Sequence, residues 1–388
     1  MSRFELHAGE IVEAIDAQSA VIDRTLTFVH DHPELAHEEH ECAGFLGDAL
    51  ADGGLEVERG LADMGTAFRA TLACGSPGPT VGVVAVFDAV PGRSADGSPE
   101  PIHACGHGPI SAGVVGAARA LASVRDRLAG RFVVVGCPAD EIHAPGTVAR
   151  GPGKALTAAA GVWDDVDVAL YAHPEFIDTV SLESQWMRRE RLVVAGTRSL
   201  RADTMQQPLL ALTALLTATQ SYEPAHVMLE SLVLDGDVEE GSALRLDADV
   251  LIIDASKAAV DARAERLRAD VPHGAWEAQR TTPGIQHDPQ VTSFVAEAFR
   301  SLGRSFEPDP PPLPFATDFG EISRRVPSAL IGVGRPEGWM FHTPAGAAEF
   351  TSMAGRSAAY DLARVVAMTG AGLLATWSPD RNDASSSD

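Results

Sequence analysis

TVGVVAVFDAV, residues 80–90, is the stretch on which the fold turns. The run is apolar without interruption up to Asp88 and lacks the polar alternation of a half-exposed strand. It reads as a strand buried on both faces. RFVVVGCP (131–138) and DVDVALYAHP (165–174) repeat the pattern, and an alanine-rich segment at 109–127 carries a helical one. Strands of this kind alternating with helices predict an α/β domain with a doubly wound, largely parallel sheet. Upstream, residues 8–31 and 38–53 place apolar side chains three and four apart and predict two helices. Pro33, in DHPELAHEE, parts them.

From about Gln185 the texture changes. RERLVVAG (189–196), a helix near 203–221, HVMLESLVLDG (226–236), LRLDADVLIID (244–254) and a helix at 256–269 read as strand–helix–strand–strand–helix. The shorter, more alternating strands predict a half-exposed antiparallel sheet with helices on one face. TTPGIQHDP (281–289) marks the return, and the first style resumes to about residue 370. The expectation is a catalytic domain of residues 1–184 and 285–388 with an inserted α+β domain at 185–284, a usual domain size. EPDPPPLP (307–314) reads as a stiff extended loop, and SPDRNDASSSD (378–388) as a disordered polar tail.

Thirty basic against 54 acidic side chains give a formal charge of −24. That field repels phosphate backbones and anionic lipid, so neither nucleic acid nor membrane is expected as a partner. No apolar run approaches the roughly 20 residues that span a bilayer, and the acidic, amphipathic start carries no secretory signal. Four scattered cysteines are too sparse for a disulfide framework. A cytoplasmic location with free thiols is the expectation.

The chemistry-bearing residues cluster where buried strands end, which is where open α/β sheets place their sites. IHACGHG (102–108) sets Cys105 and His107 two apart, so an extended backbone aims both the same way. CPADEIH (137–143) brings the adjacent acids Asp140 and Glu141 off a hydrophobic strand, a costly place for charge unless it is paired or metal-bound. YAHPE (171–175) adds His173, and WMFHTPAGAAEF (339–350) adds His342. Each alone reads as well as a core cysteine, a capping histidine or a solvated acid. Their recurrence at successive strand ends predicts convergence on one rim, with thiolate, imidazole and carboxylate suited to a divalent metal.

HPEL…EE (32–39), VFDAVP (86–91), IHACGHG, PADE, AHP and TDFGEISRRVPS…FHTP (317–344) occur in this order. Over roughly residues 8–370 the chain resembles the aminoacylase, carboxypeptidase and hippurate hydrolase superfamily of metallopeptidases. It looks most similar to the branch containing aminobenzoyl-glutamate hydrolase. The resemblance implies one or two divalent ions (manganese, zinc, cobalt or nickel) at Cys105, His107, Glu141, His173 and His342. It also implies a ferredoxin-like lid in the inserted domain, through which the chain forms a homodimer or higher homo-oligomer. Asp140 matches the general base, which takes a proton from metal-held water and returns it to the leaving amine. Asp88 is a candidate for orienting a ligand histidine, beside its plainer reading as a strand-end acid.

Four positions depart from the family. Asp140 replaces the usual Glu and is one methylene shorter, which displaces its carboxylate if the backbone is unchanged. Gly108 follows the HACGH motif in place of Asp or Asn and is expected beside the substrate. AGTRSLRADT (195–204) lacks the lid histidine, leaving Arg198 or Arg201 as substitutes, and EEGSALRL (239–246) stands where an Asn-containing segment is usual. An intact metal shell with an altered substrate shell implies hydrolysis of the C–N bond of a small carboxylate-bearing amide. The alternatives are an aryl-amine aminohydrolase acting on an anthranilate-type nitroaromatic such as 5-nitroanthranilate, and a catalytically silent binding relative.

Overall fold

The computed structural model describes residues 5–93, 98–198, 203–223, 226–237 and 242–377. Arg201, the first three residues of 239–246 and the polar tail lie outside the described residues. The chain divides into two compact units. One comprises residues 1–183, 286–311 and 321–388, the other 184–285 and 312–320.

In chain order the first unit begins with α1 (Glu5–Asp16), α2 (Ser19–Asp31) and α3 (His40–Asp52). The single helix expected over 8–31 is two, interrupted at Ala17–Gln18. The unit continues with β1 (Glu56–Arg59), β2 (Phe68–Ala73), β3 (Ser76–Ala85), β4 (Val90–Arg93) and β5 (Pro99–Ile102). Then come α4 (His107–Ser123), β6 (Ala129–Gly136), α5 (Pro145–Arg150), α6 (Gly153–Ala159) and β7 (Val168–Glu175). The second unit holds β8 (Trp186–Thr197), α7 (Gln206–Gln220), β9 (Val227–Gly236), β10 (Ala243–Asp254), α8 (Lys257–Asp270) and β11 (Ala275–Thr282). The chain then returns through α9 (Pro289–Ser301), α10 (Phe319–Ser323), β12 (Ser328–Gly334), α11 (Pro344–Phe350) and α12 (Met353–Thr376).

The main sheet of the first unit has the order β1-β2-β6-β3-β7-β12. β6, β3, β7 and β12 are mutually parallel, and the antiparallel β2 and β1 finish one edge. Val81, Val83, Val84, Phe132 to Val135 and Val168 to Leu170 have no exposed surface, as the unbroken apolar runs require. α12 packs along α4 and over β3, β6 and β7. It is the one described helix long and apolar enough on average to cross a membrane, although Arg356, Asp361 and Arg364 interrupt its apolar run. Its alanine and glycine content supplies the hydropathy, and most of it is buried within this unit, as in a core helix.

The second unit is one antiparallel sheet, β11-β8-β10-β9, with α7 and α8 packed on β8 and β10. Leu192, Val194, Leu246, Val250 and Ile252 meet Ala211, Leu215, Val260, Ala264 and Leu267 in its core. β11 was not anticipated. As an edge strand it keeps a mostly exposed, polar sequence, AWEAQRTT, without the alternation that marks a strand. Residues 312–320 join this unit, not the one their sequence position suggests. Gln185 donates its backbone N–H to the Phe315 carbonyl at 3.1 Å, which holds that loop.

Candidate metal centre

All five expected ligands lie in the first unit. Cys105 and His107 flank Gly106, whose φ of +90° opens α4 in a conformation that glycine adopts without steric cost. Glu141 sits in the loop after β6, and His173 near the end of β7. His342 has a φ of +58° and donates its backbone N–H to the Ala104 carbonyl at 2.8 Å, stitching the returning segment to the Cys105 loop. The Thr343 hydroxyl then caps α11 by accepting the Gly346 N–H at 3.0 Å.

The side chains converge. Cys105 Sγ stands 3.2 Å from His342 Nε2 and 4.0 Å from His173 Nε2, across 237 positions of sequence in the first case. Glu141 Oε2 is 3.7 Å from His342 Nε2, and Glu141 Oε1 is 3.7 Å from His107 Nε2. Cys105, Glu141 and His342 offer ligand atoms within 4.8 Å of one another. Atoms bound about 2.0–2.3 Å from a zinc-like ion stand roughly 3–4 Å apart, so the spacing fits. Among the described residues, His107 Nε2 and Glu141 Oε1 are buried without a hydrogen-bond partner. Such atoms cost about 1–3 kcal/mol each unless something satisfies them, and a cation does so for both.

Asp88 organises this cluster from beneath. Nearly fully buried, it accepts from the Glu141 backbone N–H through Oδ2 at 2.9 Å. Its backbone carbonyl lies 2.6 Å, and its Oδ1 3.2 Å, from His107 Nδ1. With Nδ1 so engaged, Nε2 is turned toward Glu141. His173 is fixed alike, its Nδ1 donating to the Pro174 carbonyl at 2.8 Å with Glu175 Oε1 at 3.4 Å.

The electrostatics favour ligation. Burial pushes the Cys105 thiol up, but the imidazoles of His107, His173 and His342 outweigh it and hold the thiol well below its ordinary range. Burial pulls His173 down, yet Cys105 and Glu175 raise it to about 9. His107, against the same opposition, is raised well above its usual value by Asp88 and Cys105. Burial, then the Cys105 charge, holds Glu141 well above the carboxylate range. A divalent cation displaces such protons from its ligands.

Asp140, despite its short arm, reaches the cluster, with Oδ2 3.2 Å from His107 Nε2. It is also held by two residues that the sequence reading missed. Tyr171 donates its hydroxyl to Oδ2 at 3.2 Å, and the Lys154 ammonium donates to Oδ1. Glu39 was missed as well, although it lies within the HPEL…EE motif. Fully buried, it accepts the backbone N–H groups of His37 at 2.9 Å and Ala139 at 2.8 Å, and the Thr66 hydroxyl at 2.9 Å. Ala139 has a φ of +56°, so this carboxyl secures a strained residue next to Asp140. Burial, reinforced by Asp88, pushes Glu39 up to about 7.

The substrate-side expectations fare differently. A Cβ at Gly108 would meet Leu26 Cδ1 at 3.3 Å, so the room this glycine leaves belongs to the α2–α4 contact, not to a ligand. Arg198 is exposed at the end of β8 in the second unit, its backbone N–H bonded to the Ser242 carbonyl at 3.1 Å.

Residues 84–363 match the profile of Peptidase family M20/M25/M40. A p-aminobenzoyl-glutamate hydrolase chain of Escherichia coli (strain K12) is 31% identical over 42% of this chain and 34% of its own length. The N-acetyl-L-cysteine deacetylase of Bacillus subtilis (strain 168) is 24% identical over 82% of this chain and 81% of its own. In structure, the chain is similar to a Bacillus subtilis dinuclear metal-binding peptidase of the M20 family. The TM-score is 0.66 at 19% identity, over 92% of this chain and 99% of that one.

Proposed function

The chain belongs to Peptidase family M20/M25/M40, and from that footing we propose a divalent-metal-dependent hydrolase that cleaves the C–N bond of a small carboxylate-bearing amide. The substrate class is an N-acyl or aminobenzoyl amino acid, as the names of the two relatives suggest. One observation carries the reading. Cys105, Glu141 and His342 offer ligand atoms within 4.8 Å of one another, with His107 Nε2 3.7 Å from Glu141 Oε1 and His173 Nε2 4.0 Å from Cys105 Sγ. A divalent ion held there supplies Lewis acidity, polarising a carbonyl and acidifying water from about 15.7 towards about 7. Asp140, beside His107 Nε2, takes the proton from the attacking water and delivers it to the departing amine. Asp88 and Glu175 keep the imidazoles of His107 and His173 turned into the site.

The inserted unit fits a ferredoxin-like lid, since its β-α-β-β-α-β order is the one that fold uses. We read it as the dimerising domain. β9 is an edge strand with Leu232, Val233 and Leu234 each at least 40% exposed, an apolar edge of the kind a second chain covers. Free cysteines throughout support a reducing compartment such as the cytoplasm.

Aryl-amine hydrolysis is the second reading, favoured by the absence of histidine from 195–204. The products separate the two: carboxylate plus amine for an amide, ammonia plus a phenol for an anthranilate. The test is metal analysis of the purified protein, then turnover of p-aminobenzoyl-glutamate, N-acetyl amino acids and 5-nitroanthranilate. His107→Ala and His342→Ala are expected to lose metal and turnover together while staying folded. Full metal occupancy in either variant would contradict the ligand set, and bound metal without turnover of any probe would favour a silent binding protein.

A further inference from the structure

The chain holds 30 Lys and Arg residues, and only two, Lys154 and Lys257, are lysine. Lys257 lies on the surface. Lys154 has no exposed surface, an expensive place for an ammonium unless an anion meets it. That anion is Asp140. The approach is built into the backbone: Gly153, which opens α6, lies so close to Pro138 that a Cβ there would stand 1.9 Å from the Pro138 carbonyl oxygen. α6 is thereby pressed against the 137–141 loop, and Lys154, its second residue, is delivered to Asp140 Oδ1. A compact ammonium meets a single carboxylate oxygen.

Tyr171, 3% exposed, takes the other oxygen from β7, and its ring lies 5.1 Å below the Lys154 ammonium. Two residues along the same strand, on the same face, is His173. The carboxylate is thus tethered from α6 and from β7, with Oδ2 left 3.2 Å from His107 Nε2.

We propose that Lys154 is the positioning residue for Asp140: a buried counter-ion, seconded by Tyr171, that holds the shorter acid at the metal-facing edge. The catalytic part of this proposal rests on Asp140 being the base of the hydrolase. Lys154 touches no reacting atom and acts through the carboxylate.

The first test needs no turnover, so it stands or falls apart from the hydrolase reading. Urea unfolding of the full metal-free chain is measured for Asp140→Asn, Lys154→Met and the double variant. Asp140→Asn removes the Asp140 charge from the buried ammonium and is expected to raise the unfolding equilibrium constant by about a hundredfold. Lys154→Met is expected to destabilise the parent chain but to recover most of that loss in the Asp140→Asn background. Equal effects of Lys154→Met in both backgrounds would overturn the pairing. The second test uses p-aminobenzoyl-glutamate, or whichever amide probe is turned over. Lys154→Met should lower kcat by about a hundredfold through a misplaced base, with KM and metal content unchanged, and Tyr171→Phe should lower kcat less. A kcat unaltered by Lys154→Met at full metal occupancy would reduce Lys154 to a structural role and sink the positioning claim.

Discussion

Asp88→Asn is the sharpest test of how the centre is built, because one buried aspartate lies against two of the proposed ligands at once. Oδ2 accepts the Glu141 N–H at 2.9 Å and Oδ1 lies 3.2 Å from His107 Nδ1. The Glu141 N–H is donated to the carboxylate, while the His107 Nδ1–H goes to the Asp88 backbone carbonyl at 2.6 Å and leaves Oδ1 beside the imidazole as a charge. An asparagine of the same shape has one acceptor oxygen and one NH2, so it satisfies one partner and presents a donor to the other. If its oxygen keeps the Glu141 amide, the NH2 faces His107 Nδ1 and the imidazole loses its anionic support. If it turns the other way, the Glu141 loop is pushed off. Removing a group that orients a metal ligand costs about 10–100-fold in metal affinity, or about 1.4–2.8 kcal/mol. The assay is competition between the metal-free protein and a chelating dye for zinc and for manganese, with circular dichroism as the check on folding. A dissociation constant within twofold of the parent's, in a folded variant, would refute the orienting role.

Three further outcomes are expected. Glu39, raised to about 7 in the fold from an ordinary 4.5, binds its proton more tightly folded than unfolded. Its stabilising contribution is therefore full below about pH 4.5 and is lost as pH rises through about 7, a change of at most about 3 kcal/mol; Glu39→Gln should flatten that part of the urea-stability profile, and an unchanged slope would clear Glu39 of the role. Gly153→Ala forces a Cβ against the Pro138 carbonyl, so a loss of about 1–3 kcal/mol by urea unfolding together with weaker metal binding is expected, and a variant equal to the parent in both would contradict the close approach. Val233→Arg places a charge on the exposed β9 edge, and light scattering after size exclusion should show a monomer where the parent is a dimer; a parent already monomeric would remove the dimer proposal.

The parallel sheet was legible because its strands are buried on both faces, and Val81 to Phe87 cannot be read otherwise without stranding apolar side chains in water. β11 was not, since an exposed edge strand has no such constraint. The same division runs through the site. Cys105, His107, Glu141, His173 and His342 announced themselves by residue type at strand ends. Lys154 gave only a compositional hint, one of two lysines in a chain that otherwise uses arginine, and its partner lies 14 residues away in the loop after β6. Glu39 was visible as part of a motif, but its grip on the Ala139 amide spans 100 positions. Gly108 misled because a missing side chain says nothing about which neighbour fills the gap. The short arm of Asp140 misled in the opposite way: its Oδ2 still comes within 3.2 Å of His107 Nε2.

The sealed position of Lys154 also gives the folded chain an unusual chemical signature. Lys257, its side chain 60% exposed, is the one lysine that solvent reaches. A lysine-specific endoproteinase added to the native protein can cut after Lys257 when the first turn of α8 frays, and makes a second cut only when α6 lifts away from the 137–141 loop. The rate of that second cut is a direct clock for breathing of the 137–141 loop, and metal should slow it.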